Sequence, residues 1–236
     1  MNQSKNIKVL LLGATGTLGQ KVFEALRFSG KYYVGVLSRR IHQLPFDNHS
    51  FAFHGDILVH QSLKAPVIWA DVVINCSGFV SYRRGDRQVL QKVNIEGVRN
   101  LAAVCARYHK PLIHTSSAVF YGSTNHPLAF KEEDQPTEVY RGEYAYSKYI
   151  SDRIVLSAGC PYIILRPGTL VNTLRKLYKL YKRGWVAGLL TTQVVDEQCV
   201  KRLRIRALGP GIISRSLRGN RVLRKSCRCC WRRLSI

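Results

Sequence analysis

Tyr144 and Lys148 stand four residues apart in Tyr144-Ala-Tyr-Ser-Lys148, a spacing that puts a phenol and an ammonium on one helical face. A free phenol titrates near ~10 and is a weak base at neutral pH, whereas a neighbouring cation favours the phenolate and lowers that value. Tyr144 is thereby a candidate to pass a proton to or from a substrate oxygen, with Lys148 holding a cofactor ribose. Spacing alone is weak evidence, because Tyr178 and Lys182 repeat it in Leu174-Arg-Lys-Leu-Tyr-Lys-Leu-Tyr-Lys182, which reads as a basic amphipathic helix with a packing tyrosine. Context separates the two pairs. Tyr144 follows an apolar strand, Pro111-Leu-Ile-His-Thr115, that delivers Ser116 and Ser117 at its C-terminal end, and it precedes Tyr162-Ile-Ile-Leu165, which ends in Arg166-Pro-Gly168.

A second chemistry-bearing stretch lies near the N-terminus, where Val9-Leu-Leu-Leu12 runs into Gly13-Ala-Thr-Gly-Thr-Leu-Gly19. The apolar run suits a buried parallel strand, and Gln20 to Phe28 sets Val22, Phe23, Leu26 and Phe28 on one helical face. Strand, glycine turn and helix in that order are the context of a dinucleotide site. Gly13 turns the chain sharply, Gly16 leaves no side chain between backbone and pyrophosphate, and Gly19 lets helix and strand pack closely. The phosphates then meet free N–H groups and the positive end of the helix dipole. A P-loop is excluded, since Gly19 is followed by Gln20-Lys-Val22 rather than Lys-Ser/Thr.

Further elements position these groups. Tyr32 to Leu37 reads as the second strand, ending in Ser38-Arg39-Arg40 with no acid to accept a ribose 2′-hydroxyl, so NADP is favoured and NAD is the alternative. Ser50 to His54 reads as a short third strand, and Asp56 behind it is placed to reach an adenine edge. Val72 to Gly78 gives a fourth strand ending in Cys76, Ser77 and Gly78, small residues that allow a cofactor to lie against the backbone. Val89 to Tyr108 reads as one long helix and Glu143 to Ala158 as another. The predicted class is α/β, a doubly wound, Rossmann-like parallel sheet. The expected cofactor set is Gly13, Thr15, Gly16, Thr17, Leu18, Gly19, Arg39, Arg40, Asp56, Ile57, Cys76, Ser77, Gly78 and Lys148.

Taken together, Gly13–Gly19, Asp56, Asn94-Ile-Glu-Gly97, Thr115-Ser-Ser-Ala-Val-Phe-Tyr-Gly122, Tyr144–Lys148 and Leu165-Arg-Pro-Gly168 resemble the extended short-chain dehydrogenase/reductases, the NAD-dependent epimerase/dehydratase group, across residues 7–173. The resemblance implies that Ser117, counted back from Gly122, hydrogen-bonds a substrate oxygen, that Tyr144 is the acid/base, and that Lys148 tunes it and binds the nicotinamide ribose while a hydride moves. It adds Asn94 and Pro167 to the cofactor set, Asn94 having a second reading as a residue that caps or bends its helix. It also implies a small-molecule substrate, either a nucleotide sugar or an apolar ketone or alcohol, and admits a homodimer. The loop from Phe79 to Gln88 is expected over the nicotinamide, where it helps select substrate.

Charge divides the chain. Of the net +23, residues 1–173 carry +8 and residues 174–236 carry +15; from Lys201 onward there are 12 Lys/Arg and no acid. The expected organisation is a dinucleotide-binding domain over 1–173 and a basic segment over 174–236 where a substrate domain would stand. A disrupted reading frame, nucleic-acid or anionic-membrane binding by charge, and metal binding at Cys227, Cys229 and Cys230 are the readings of this tail. The cysteines lack the paired spacing of a structural zinc site, so no metal is expected. Met1 to Asn6 does not resemble a signal peptide, and the expected compartment is the cytoplasm.

Overall fold

The structure, a computed structural model, describes residues 7–40, 44–122, 130 and 134–168. Six strands, β1 (Ile7–Leu12), β2 (Tyr32–Ser38), β3 (Ser50–His54), β4 (Val72–Asn75), β5 (Leu112–Thr115) and β6 (Tyr162–Leu165), form one sheet in the order β3-β2-β1-β4-β5-β6. Every pairing is parallel. The chain crosses from one half of the sheet to the other between β1 and β4, and in an open parallel sheet ligands bind at such a switch point, outside the C-terminal strand ends.

Alternation along β1 explains its unbroken apolar run. Val9 and Leu11 join Phe23, Leu26, Val34, Val36 and Ile74 on one face, while Leu10 and Leu12 join Leu63, Val67, Val73, Leu101 and Leu112 on the other. Each such side chain contributes about 1.5–3 kcal/mol by leaving water. The first face is covered by α1 (Thr17–Phe28), the second by α2 (His60–Trp69), α4 (Gly97–Arg107) and α5 (Glu143–Leu156).

Two elements differ from the sequence reading. Helix α2 is not anticipated, because Pro66 lies inside it; the proline sits in the last turn, and burial of Leu63, Pro66 and Val67 holds the helix against the sheet. The predicted single helix over Val89 to Tyr108 is instead α3 (Arg87–Leu90), a π-helical segment Gln91–Glu96, and α4. Inserting the wider turn re-aims Asn94 inward, and π segments of this kind recur at functional sites. The Tyr178–Lys182 pair, the 173/174 boundary and the basic tail lie outside the described residues.

Candidate active site

The glycine turn is shaped by backbone contact. Gly13 has φ +77, and a Cβ there would sit 2.5 Å from Ser77 N and 2.6 Å from the Cys76 carbonyl carbon, so the end of β1 touches the end of β4 directly. A Cβ on Gly19 would collide with the Gly13 carbonyl oxygen. Gly16 is different: among the described residues its Cβ would meet one atom, Gly13 O at 3.3 Å, and its N–H closes the turn onto that same oxygen at 3.0 Å. Protein packing makes little demand for glycine at 16. The position opens outward with exposed Thr15 and Thr17 at the start of α1, beside half-buried Leu18. Among the described residues no side chain caps this helix, and no acid lies in its first turn. This is an anion-accepting terminus.

Beyond the ends of β2 and β3, Arg39 and Asp56, both expected to meet cofactor, meet each other at 3.6 Å. Arg39 is 77% exposed, and a surface pair of this kind is worth about 0–1 kcal/mol, little resistance to a competing phosphate. Arg40 is exposed, its N–H held by the Ser38 hydroxyl. Asp56 also accepts from Leu58 N at 3.0 Å. Ile57 is buried against Gly97 of α4, where a Cβ would lie 2.9 Å from it.

Across the switch point, Ser77 is tied to Asn75 Oδ1, and Gly78 faces Lys148: a Cβ on Gly78 would be 3.4 Å from Lys148 Nζ and 3.6 Å from Asn94 Oδ1. Cys76 packs against Thr115, and burial pushes its thiol up to about 11. Asn94 is fully engaged as a clamp. It accepts from Phe79 N at 2.8 Å and donates to Phe79 O at 2.9 Å and to Ser147 Oγ at 3.0 Å, tying the loop after β4 to α5.

Tyr144 and Lys148 both point inward from α5, each under 10% exposed. Burial raises the Tyr144 phenol; the Ser117 hydroxyl opposes this and Tyr82 adds to it. The expected lowering by Lys148 is not found, since burial outweighs what opposes it; the Lys148 ammonium donates to the Thr115 carbonyl at 3.2 Å. Ser117 starts the short turn Ala118–Tyr121, and it is Ser117 rather than buried Ser116 that meets the phenol. The Pro167 carbonyl accepts from Ala118 N at 2.9 Å and so fixes that turn to the end of β6. Tyr82, 75% exposed, lies edge-on to the Tyr144 ring with centroids 5.7 Å apart. Sequence reasoning missed His114 and Asp152, both fully buried behind this face; the available signal was Asp152 four residues after Lys148.

The chain matches the NAD dependent epimerase/dehydratase family over residues 9–177 and belongs to it. It is 26% identical over 197 residues to a dTDP-4-dehydrorhamnose reductase of Aggregatibacter actinomycetemcomitans, covering 79% of this chain and 61% of that protein. It is 30% identical over 112 residues to the rat 3 beta-hydroxysteroid dehydrogenase type 7, covering 45% of this chain and 33% of that protein. Among solved structures, the Bordetella bronchiseptica enzyme WbmG in complex with NAD and UDP superposes with TM-score 0.64 at 18% identity, over 76% of this chain and 60% of that one. A Bacillus anthracis dTDP-4-dehydrorhamnose reductase in complex with NADP gives TM-score 0.61 at 20% identity, over 75% and 61%. The chain therefore spans between a third and about three-fifths of these relatives.

Proposed function

We propose that the chain is an NAD(P)-dependent oxidoreductase, epimerase- or dehydratase-like, that prefers NADP(H) over NAD and uses Ser117, Tyr144 and Lys148 at a hydroxyl or carbonyl of a small molecule. One observation carries this reading: the glycine turn, Gly78, Lys148 and the Ser117–Tyr144 contact follow one another along the C-terminal edge of the sheet. Gly16, whose missing side chain the protein's own packing does not require, fits a ligand backbone there. The backbone of Thr15 to Leu18 would hold phosphates, Arg39 and Arg40 a 2′-phosphate, Asp56 and Ile57 the adenine end, and Cys76 to Gly78 with Asn94, Lys148 and Pro167 the nicotinamide half. The bound nicotinamide would supply or accept the hydride.

The protein's own groups handle the proton. A phenol raised by burial stays protonated at neutral pH, which suits Tyr144 to donate to a substrate oxygen that the Ser117 hydroxyl also holds. Candidate substrates are nucleotide sugars or apolar ketones and alcohols. Residues 1–173 act as the dinucleotide-binding unit, residues 174–236 as a basic segment, and the cytoplasm is the assigned compartment. The second reading is a dinucleotide-binding module without chemistry. Fluorescence titration tests the cofactor assignment. NADPH should bind more tightly than NADH, and Arg39→Ala should erase the difference; tighter NADH binding, unmoved by that substitution, would overturn it.

A further inference from the structure

Behind the Tyr144–Lys148 face of α5 lies a buried polar cluster that the proposed chemistry leaves unused. Asn75 Oδ1 accepts from Ser77 N at 3.0 Å and Ser77 Oγ at 2.5 Å, which leaves Asn75 Nδ2 to donate to His114 Nδ1 at 3.2 Å. His114 Nε2 then carries the ring proton and faces Asp152 Oδ1 at 3.9 Å. Neither Nε2 nor Oδ1 has a hydrogen-bond partner among the described residues. The other oxygen of Asp152 accepts from Arg166 Nε at 2.8 Å. The Arg166 guanidinium lies 3.8 Å over the Phe120 ring and reaches Tyr121 Oη at 3.4 Å, both in the turn that Ser117 begins.

We propose that Asp152 is a positioning residue serving two cations at once: it anchors Arg166 against the Ser117 turn, and it counterbalances the ammonium of Lys148 one turn earlier on α5. The inference rests on the reading of Lys148 as a cofactor-binding group. A lone ammonium withdrawn from water is strongly disfavoured. Among the described residues the groups around Lys148 are Tyr144 and Asp152 on α5, Asn94 in the π segment, Cys76 after β4, and His114 and the Thr115 carbonyl on β5, with Arg166 on the far side of His114. Among them Asp152 is the single carboxylate. The Cys76 thiol, pushed by burial up to about 11, is neutral at pH 7; His114, pushed by burial and then by Lys148 and Arg166 down to about 3, is neutral too. Burial lowers Lys148 and Asp152 opposes that lowering. Burial in turn raises Asp152, with Ser116 and Arg166 opposing. One carboxylate shared between a buried and a half-buried cation is therefore what keeps the Lys148 side charged and the Ser117 side in place.

The test follows the charge on Lys148 directly, by NMR of lysine labelled at Cε in the full chain, with Lys148→Met assigning the resonance. Asp152→Asn should lower the Lys148 titration midpoint by about one pH unit or more, roughly a tenfold change in the ratio of charged to neutral lysine at a given pH. Asp152→Glu should restore most of it. An unchanged midpoint in folded Asp152→Asn overturns the proposal. If Asp152→Asn does not fold, the double variant Asp152→Asn/Arg166→Met removes both charges. It should fold with the midpoint still lowered, and failure to fold or an unmoved midpoint would show that the pair serves the fold alone. NADPH affinity unchanged in Lys148→Met would defeat the cofactor reading while leaving the Asp152–Lys148 coupling standing.

Discussion

The two halves of the sheet's C-terminal edge are built by different means. On the β1–β3 half the shape is made by backbone: Gly13 and Gly19 let main chain touch main chain, and Gly16 leaves an uncapped helix start open. On the β4–β6 half it is made by side chains, where Asn94, Lys148, Asp152 and Arg166 tie helices and loops to strand ends. Backbone contact tolerates no added atom, whereas a side-chain clamp loses its bonds one at a time. Substitutions in the two halves should therefore differ in kind.

The largest effect is expected at Gly19. Gly19→Val places a branched side chain in the Gly13 carbonyl, and urea unfolding should show a loss of about 4 kcal/mol or more, or no folded protein at all. A loss near zero would mean that the turn relaxes freely and is not set by backbone contact. On the other half, Tyr144→Phe should lower turnover about 10²–10⁴-fold, with NADPH affinity nearly intact, because one proton donor and little volume are removed. Exposed Tyr146 is the control, and equal losses at 144 and 146 would remove the phenol from the chemistry. Asn94→Ala should cost about 2–3 kcal/mol and loosen the loop at Phe79, since three hydrogen bonds lose their partner.

The smallest effect is a pH slope. His114 is held near 3 against an unfolded value of 6.5, so the unfolded chain takes up a proton that the folded one refuses across that window. Its contribution to stability is complete above 6.5 and falls with pH, by at most about 1.4 kcal/mol per unit. Asp152, raised by burial, acts in the opposite direction. The stability difference between wild type and His114→Gln, measured at pH 7 and pH 4.5, should shrink on acidification. A constant difference would show that His114 is not excluded from protonation.

Legibility in the sequence follows the same division. Glycine spacing is local, so the turn, its helix and a doubly wound parallel sheet around them could be inferred from residues 9–28 and the alternation of later elements. The Tyr144–Lys148 face was legible because four-residue spacing on a helix is also local. Helix α2 was not, because the penalty of Pro66 is visible in sequence while the burial that outweighs it is tertiary. The break at Gln91–Glu96 was hidden for the same reason: apolar periodicity ran through it, and only contacts with Phe79 and Ser147 show why the helix widens at Asn94. The Tyr144 phenol was expected to be lowered and is raised, because burial, which no local pattern records, outweighs the opposing Ser117 hydroxyl. His114 and Asp152 are 38 residues apart in the chain and meet across an element boundary, which no local pattern records.

The central claim is that a dinucleotide lies across the switch point with its phosphates on the glycine turn, and Gly16 tests it most directly. A Cβ there meets little of the protein, so Gly16→Val should unfold at nearly the same urea concentration as wild type. In a fluorescence titration, NADPH should bind the wild-type chain and bind Gly16→Val at least about tenfold more weakly, because the new side chain occupies the approach of the pyrophosphate. A folded Gly16→Val protein that keeps wild-type NADPH affinity would contradict the account.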